Sequence, residues 1–273
     1  MAIWPVATWP YFQDRDHYVR NTAKLNELPS IEQDIGVRPE ASIIIPIHNE
    51  ESFLTPAASD LYQGLQEAGI AFEVILCENG STDRTLEMAN DLAGELDDIK
   101  VLPSDKPDYG GAMREGILAA RAPYVVVFDI DYFSISFLKE ALALLKTHDI
   151  VIASKLAVGA EDNRGALRKV VTRGFSLVLK ALFNTRVRET HGMKAFRRKK
   201  IMPIIGRTRM AKDLFDTELV IRAERSGLTI KEVPVAVEEK RPTRSSLFKR
   251  ISRTTFGLLK LRSLLWMERI ARR

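Results

Sequence analysis

The chain has 273 residues, enough for one large α/β domain or two small ones. Apolar residues make up 45 % and charged residues 28 %, as in an ordinary globular protein, and a single cysteine, Cys77, excludes an internal disulfide and argues against a Cys-based metal site. The net charge of +5 is unevenly placed: residues 240–273 carry eleven Lys or Arg against one acid, Glu268, so this tail is +10 and the remaining chain −5.

That asymmetry points to a polyanionic partner for the C-terminus: a membrane surface, a nucleic acid or a phosphorylated ligand. The absence of disulfides fits a reducing compartment. The first residues lack a basic segment followed by an apolar one, so no signal peptide is expected. No run of 18 apolar residues occurs, so no transmembrane helix is expected either.

In chain order, residues 1–40 hold Trp4, Trp9, Tyr11 and Phe12 and read as an N-terminal extension, with one helix near Tyr18 to Leu28. Ser42 to Glu51 is a β-branched strand closed by Pro46 and a polar turn, and a helix from Ser52 to Ala68 ends at Gly69. Glu73 to Asn79 is a second strand. The turn Gly80-Ser81-Thr82-Asp83 supplies Ser81 or Asp83 to cap a helix from Arg84 to Leu92. Lys100 to Pro103 is a short third strand, and Gly110 and Gly111 open a helix through Arg121. Tyr124 to Tyr132, YVVVFDIDY, reads as a buried strand ending in Asp129 and Asp131. Strand and helix alternating at this spacing argue for βαβ units and a parallel sheet.

A helix from Ser136 to Leu145 and a strand from Asp149 to Ser154 follow. A long basic and apolar helix covers Ala166 to Phe183, Thr190 to Phe196 is extended, and Asp216 to Ser226 is a helix ended by Gly227. Thr229 to Val237 alternates as a strand. From Leu247 to Arg273, Phe248, Ile251, Leu258, Leu261 and Leu265 recur at helical spacing among Lys and Arg. This is an amphipathic helix, with a break expected near Gly257. The division is therefore 1–40 extension, 41–240 α/β domain and 241–273 basic amphipathic segment.

Chemistry concentrates at Asp129 and Asp131. In open α/β sheets ligands bind at the carboxyl ends of strands, and acids at i and i+2 of an extended segment point to one side. Two hard oxygen donors suit Mg²⁺ or Mn²⁺, which also hold substrate phosphates. An Asp-rich turn is the ordinary alternative.

The motifs in series resemble glycosyltransferase family 2, which has the GT-A fold. SIIIPIHNEE is similar to its opening strand and P-x-x-N-E turn, CENGSTDRT to its second-strand turn, YGGAMREGILAA to its glycine-opened helix and FDIDY to its D-x-D. The second half, RETHGMKAFRR and FDTELVIRAERSGLTIKEVPVAVEEKRPTRSS, resembles the dolichyl- and polyprenyl-phosphate mannose or glucose synthase branch. Glu189 stands where that branch has Asp, and the Lys240–Arg244 segment is bulkier than its glycine-containing version.

The resemblance implies a Rossmann-like, mostly parallel sheet flanked by helices, followed by the basic helical tail. It implies metal-dependent, inverting transfer of a hexose from GDP-mannose or UDP-glucose to a polyprenyl phosphate. Pro46, His48, Glu50 and Glu78 would surround base and ribose, since a carboxylate accepts from an N–H on the Watson–Crick edge of uracil or guanine. For Glu50, complementing a helix dipole is the alternative. Asp83 is a ribose contact or a helix cap. Gly110 and Gly111 read as a turn needing positive φ, the alternative being free helix N–H groups that face a phosphate, with Lys106 and Arg114 as charge partners for the nucleotide sugar. Asp129 and Asp131 would hold the cation on the diphosphate. Glu189, then Asp216, is the candidate base if the acceptor is a hydroxyl; an ion pair for Glu189 and an N-cap for Asp216 are the alternatives. Lys155, Arg168, Arg173, Arg241 and Arg244, with Ser245 and Ser246, would cradle an acceptor phosphate, against the alternative of a solvated basic face.

Phe248, Phe256 and Trp266 suit the tail to the headgroup layer of a membrane, giving a cytoplasmic protein peripheral on the membrane face. Packing on the domain or on a second copy of the chain is the competing use. A transferase with a soluble or glycan hydroxyl acceptor, and a non-catalytic membrane-binding relative, are the alternatives. No recognised RNA-binding module accompanies the basic residues, so no nucleic-acid partner is expected.

Overall fold

The structure, a computed structural model, describes residues 38–211, 214–237 and 247–271, with the side chains of 247–252 outside that description. The N-terminal extension and its expected helix therefore lie outside the described residues, as do Arg241, Arg244, Ser245, Ser246 and the side chains of Phe248 and Ile251.

Strand β1, Ala41–Ile47, is apolar almost throughout because helices cover both its faces. Ile43, Ile45 and Ile47 point into one apolar layer, while Ile44 points into the other. The chain continues through α1 (Leu54–Glu67), β2 (Phe72–Glu78), α2 (Thr85–Glu95), β3 (Ile99–Leu102), α3 (Tyr109–Ala119) and β4 (Tyr124–Val127). These βαβ steps give parallel neighbours in the order β3-β2-β1-β4. Helix α4, Ile135–Leu144, starts on Ser134, whose hydroxyl accepts from Phe137 N at 3.1 Å.

The second half contains β5 (Ile150–Ser154), β6 (Glu161–Asp162), α5 (Ala166–Phe183), β7 (Lys194–Arg197), α6 (Arg198–Ile205), α7 (Phe215–Arg225), β8 (Ile230–Pro234), β9 (Ala236–Val237) and α8 (Leu247–Ala271). Strand β7 runs antiparallel between β4 and β5, completing a seven-stranded sheet of order β3-β2-β1-β4-β7-β5-β8. Strands β6 and β9 form a separate two-stranded ribbon.

Two expectations are corrected. The strand ahead of Asp129 stops at Val127; the chain then turns, Tyr132 N donating to Asp129 O at 3.0 Å. The acids therefore occupy the first and third positions of a turn instead of ending an extended run. The tail helix does not break at Gly257: α8 is continuous, because there the missing side chain lets it lie directly against Leu214. Its Leu258, Leu261 and Leu265 join Leu179 and Phe183 of α5, Ile221 of α7 and Met210 and Leu214 in a third apolar cluster.

At the opposite end of the sheet from the D-x-D, buried Glu73 accepts from Ser42 Oγ at 2.6 Å, Arg121 N at 2.7 Å and Arg121 Nε at 3.0 Å, with Lys100 Nζ at 3.4 Å. These partners tie β2 to β1, β3 and the turn before β4.

Candidate active site

The carboxyl ends of β1, β2 and β4 leave a cavity of about 170 Å³. Pro46 lines it from the end of β1, His48 and Glu50 from the turn after β1, Asn79 from the residue following β2, Tyr109 from α3, and Asp129 and Asp131 from the turn after β4. The turn residues are fixed by side-chain-to-backbone bonds. Asn49, at φ 54°, accepts from Thr82 N at 2.8 Å, and its own N–H donates to Ser81 Oγ at 3.0 Å. Asn79 Oδ1 accepts from Asp108 N at 2.6 Å, which fixes the entry to α3.

A second cavity, about 300 Å³, is lined by Tyr109, Asp129, Tyr132, Lys155, His191, Gly192 and Asp216, among others. Tyr109 and Asp129 belong to both cavities. Tyr109 OH donates to Asp216 Oδ2 at 3.3 Å. Lys194, 1 % exposed, sits on the other side of Asp216, its Nζ 3.2 Å from Oδ1 and donating to Gly192 O at 2.6 Å. Burial is the largest influence on the Asp129 carboxyl. Lys194 opposes it, Asp216 and Asp131 reinforce it, and the outcome is a group pushed up to about 6. Burial, then the charges of Asp216 and Asp129, likewise raise the Tyr109 phenol well above its ordinary value.

Among the described residues no group of three or more His, Cys, Asp or Glu forms a metal cage. Two carboxylates on one wall instead fit a cation that completes its shell with substrate phosphates and water.

Other candidate residues occupy supporting positions. Glu78 is buried and accepts from Ser81 N at 2.5 Å and Ser104 N at 3.5 Å, so its oxygens serve the turn. Asp83 ties together the turn ahead of α2: Oδ1 accepts from Thr85 N at 3.0 Å and Oδ2 from Glu51 N at 3.3 Å. Despite the desolvation that raises it, these bonds hold its carboxyl below the ordinary value. Arg114 braces the fold, donating from Nε to Thr208 Oγ1 at 3.1 Å and lying over the Phe215 ring. Lys106 is exposed outside both cavities. Glu189 is buried behind the second cavity; Oε1 accepts from His191 N at 3.0 Å and Oε2 lies 3.5 Å from Lys155 Nζ. Of the acceptor-phosphate candidates, Lys155 lines the second cavity, whereas Arg168 and Arg173 stand outside it on α5.

The sequence from residue 42 to 204 matches the family described as Glycosyl transferase family 2. The chain belongs to glycosyl transferase family 2. Its similarity to glycosyltransferase AglD of Haloferax volcanii is 29 % identity over 219 residues, 78 % of this chain and 35 % of that protein. The dolichyl-phosphate beta-glucosyltransferase of Saccharomyces cerevisiae is 24 % identical over 222 residues, 72 % of this chain and 66 % of that protein. The chain thus spans about a third of the haloarchaeal relative and just under two thirds of the yeast one. Among solved structures, glucosyl-3-phosphoglycerate synthase from Mycobacterium tuberculosis, in complex with Mn²⁺, UDP and phosphoglyceric acid, superposes with a TM-score of 0.60. Identity there is 19 %, over 82 % of this chain and 78 % of that one. The mannosyltransferase PcManGT from Pyrobaculum calidifontis, in complex with GDP-Man and Mn²⁺, gives 0.57 at 21 % identity, over 89 % and 69 %. The fold of this family 2 glycosyltransferase is GT-A.

Sequence reasoning missed Asn79, Tyr109, His191 and Lys194 in this glycosyltransferase site. Tyr109 carried a signal in its place directly before Gly110 and Gly111, which are helical residues of α3 and not the expected positive-φ turn. Lys194 carried none, since a lysine inside RETHGMKAFRR reads as surface until β7 is seen to run through the middle of the sheet.

Proposed function

We propose that this glycosyltransferase moves a hexose from a nucleotide sugar to a polyprenyl phosphate, with inversion and with a divalent cation at Asp129 and Asp131. One observation carries the reading: a strand-end cavity lined by the D-x-D shares Tyr109 and Asp129 with a second cavity that presents Lys155 and His191. The first suits a nucleoside diphosphate and the second an anionic acceptor. The relatives named as dolichyl-phosphate beta-glucosyltransferases support glucose as the sugar and a lipid phosphate as the acceptor.

In this reading an acceptor phosphate oxygen attacks the anomeric carbon from the second cavity. The bond from that carbon to the diphosphate oxygen breaks, and the nucleoside diphosphate departs with the electron pair. A phosphate monoester, with a second pKa near 6, is already an anion at neutral pH. No protein base is then required, and Glu189 serves by holding Lys155 and the His191 backbone. Asp216, in the cavity wall, is the base if the acceptor is a hydroxyl. A cation held by Asp129 and Asp131 would act as a Lewis acid for the charge building on the leaving diphosphate. Tyr109 and Lys194 hold Asp216 through its two oxygens.

We further propose peripheral attachment to an anionic membrane. No helix among the described residues is long and apolar enough to cross one. Helix α8 buries one leucine stripe against the domain and turns Phe256, 74 % exposed, and Trp266, 64 % exposed, outward among Arg253, Lys260, Arg262 and Arg269. Helix α5 exposes Leu167, Val170 and Leu177 among Arg168, Lys169, Arg173 and Lys180. Apolar side chains among cations match a headgroup layer.

The test is incubation with Mn²⁺ or Mg²⁺ and UDP-glucose or GDP-mannose, with and without a short polyprenyl phosphate, reading nucleoside diphosphate release. Release that needs the lipid phosphate and falls on the order of a thousandfold in Asp131→Ala is expected. Release that instead follows a soluble hydroxyl acceptor would defeat the lipid assignment.

A further inference from the structure

Helix α7 is buried from Phe215 to Ala223, and four of its polar side chains face four different structures. Asp216 lines the second cavity, and Thr217 shares a 3.0 Å hydrogen bond with Thr190. Glu218, 0 % exposed, accepts through Oε2 from Arg209 N at 2.6 Å and Met210 N at 2.5 Å. Its Oε1 accepts from Arg222 Nε at 2.7 Å. Arg222, 2 % exposed, then donates both terminal nitrogens to Glu268 of α8, each at 2.8 Å. Glu268 is the one acid among residues 240–273.

The segment that Glu218 holds is the floor beneath α3. A Cβ on Gly110 would lie 2.8 Å from Met210 O and 2.9 Å from Ala211 Cα, so the two backbones touch. Thr208, in the same segment, receives Arg114 of α3. The first turn of α3 carries Tyr109, which lines both cavities and donates to Asp216. The contacts form one continuous path: α8, Arg222, Glu218, the Thr208–Ala211 segment, then the wall of the site.

We propose that Glu268 is a positioning residue for transfer: through Arg222 and Glu218 the C-terminal helix sets the seat of α7 and of the Thr208–Ala211 segment, and thereby of Tyr109 and Asp216. This rests on the reading of the two cavities as the donor and acceptor sites. The physical reason is the Arg222 guanidinium. Without Glu268 it keeps one partner and loses two charge-assisted bonds in a place that water scarcely reaches. It recovers partners only by shifting, and any shift moves the Glu218 carboxylate that holds the two backbone N–H groups. Helix α8 is thus a structural member of the site as well as an attachment surface.

The experiment uses the full chain in detergent with a short-chain polyprenyl phosphate, so that surface attachment does not limit the rate. Binding of UDP or GDP with Mn²⁺ is measured by calorimetry for the wild type, E268Q and E268D, alongside donor KM and kcat well below each melting temperature. E268Q is expected to weaken nucleotide binding and raise donor KM by about 2- to 30-fold, with a smaller change in kcat. E268D, which keeps the charge, recovers most of the loss. Vesicle attachment of E268Q does not weaken, since the change removes only a negative charge. Wild-type nucleotide affinity and KM in E268Q, with only a lower melting temperature, would overturn the proposal. If E268Q does not fold, R222K, which keeps the charge but loses the two-nitrogen fork, is measured in its place, and wild-type nucleotide affinity and KM in a destabilised R222K overturn the proposal equally. A wild-type chain that binds no nucleotide sinks the functional reading and this inference together, whereas an unaffected E268Q sinks the inference alone.

Discussion

Replacement of Gly116 by alanine measures how tightly α3 is pressed onto the sheet. A Cβ at Gly116 would fall far inside the van der Waals radius of Cys77 Sγ and 2.8 Å from Ile44 Cγ2. Both neighbours are 0 % exposed and belong to the central strands β2 and β1. Comfortable carbon contacts need about 3.5–4.0 Å, so the helix or the strands must part by roughly 1 Å. Overpacking of this kind costs about 1–3 kcal/mol. The upper half of that range applies, because neither neighbour is the free end of a long side chain. Alanine recovers about 1 kcal/mol of helix propensity. The net expectation is a loss of about 1–2 kcal/mol, read as a lower urea midpoint at unchanged slope. Cys77→Ala removes the worse obstruction. In the double variant the two losses should therefore fail to add, with a favourable coupling of about 1 kcal/mol. A G116A chain as stable as its parent, or a strictly additive double variant, would refute this account of the α3–sheet contact.

Three further outcomes are expected. Burial alone would raise the Glu73 carboxyl, but the bonds from Ser42 and Arg121 and the charge of Lys100 hold it below the ordinary value. Its stabilising contribution is therefore complete above the unfolded-state pKa and is lost as pH falls through the lower folded one. Glu73→Gln should cost about 1–2 kcal/mol at pH 7, discounted because Arg121 and Lys100 remain partly solvated, and the gap to wild type should narrow towards pH 3 in urea titrations. Glu189→Gln should raise the KM for a lipid phosphate severalfold while leaving kcat nearly intact; a collapse of kcat instead would make Glu189 a base. Replacing Phe256 and Trp266 together by alanine should weaken binding to anionic vesicles by at least about tenfold in flotation assays, with nucleotide binding unchanged.

Much of the first half of the chain was legible because its signals are local. Runs such as SIIIPI and EVILCE announce buried strands, and each is followed by a turn whose polar side chains must satisfy backbone groups. The span of α5 also emerged intact, since its apolar stripe and basic residues recur at helical spacing over 18 residues. The direction and place of β7 were not legible, because strand order is settled by packing between segments far apart in sequence. The same limit hid the place of Lys194 and the pairing of Glu189 with Lys155, which depend on what lies across the sheet. Gly257 misled for a physical reason: a glycine that permits close approach and one that breaks a helix look alike until the facing Leu214 is known.

The antiparallel strand in mid-sheet also has a consequence for the order of assembly. β4 and β5 are successive strands of the chain, yet they never pair, because β7 fills the place between them. Until residues 194–197 arrive, the half-sheet β3-β2-β1-β4 ends in an open edge, a template for unwanted pairing. During synthesis the half-sheet β3-β2-β1-β4 can form early from near-neighbour contacts, whereas β5 and β8 must wait for a strand encoded some 70 residues after β4. Pulsed hydrogen exchange during refolding should accordingly protect β1 and β2 before β5 and β8, and simultaneous protection of all four would argue against such a sequence of events.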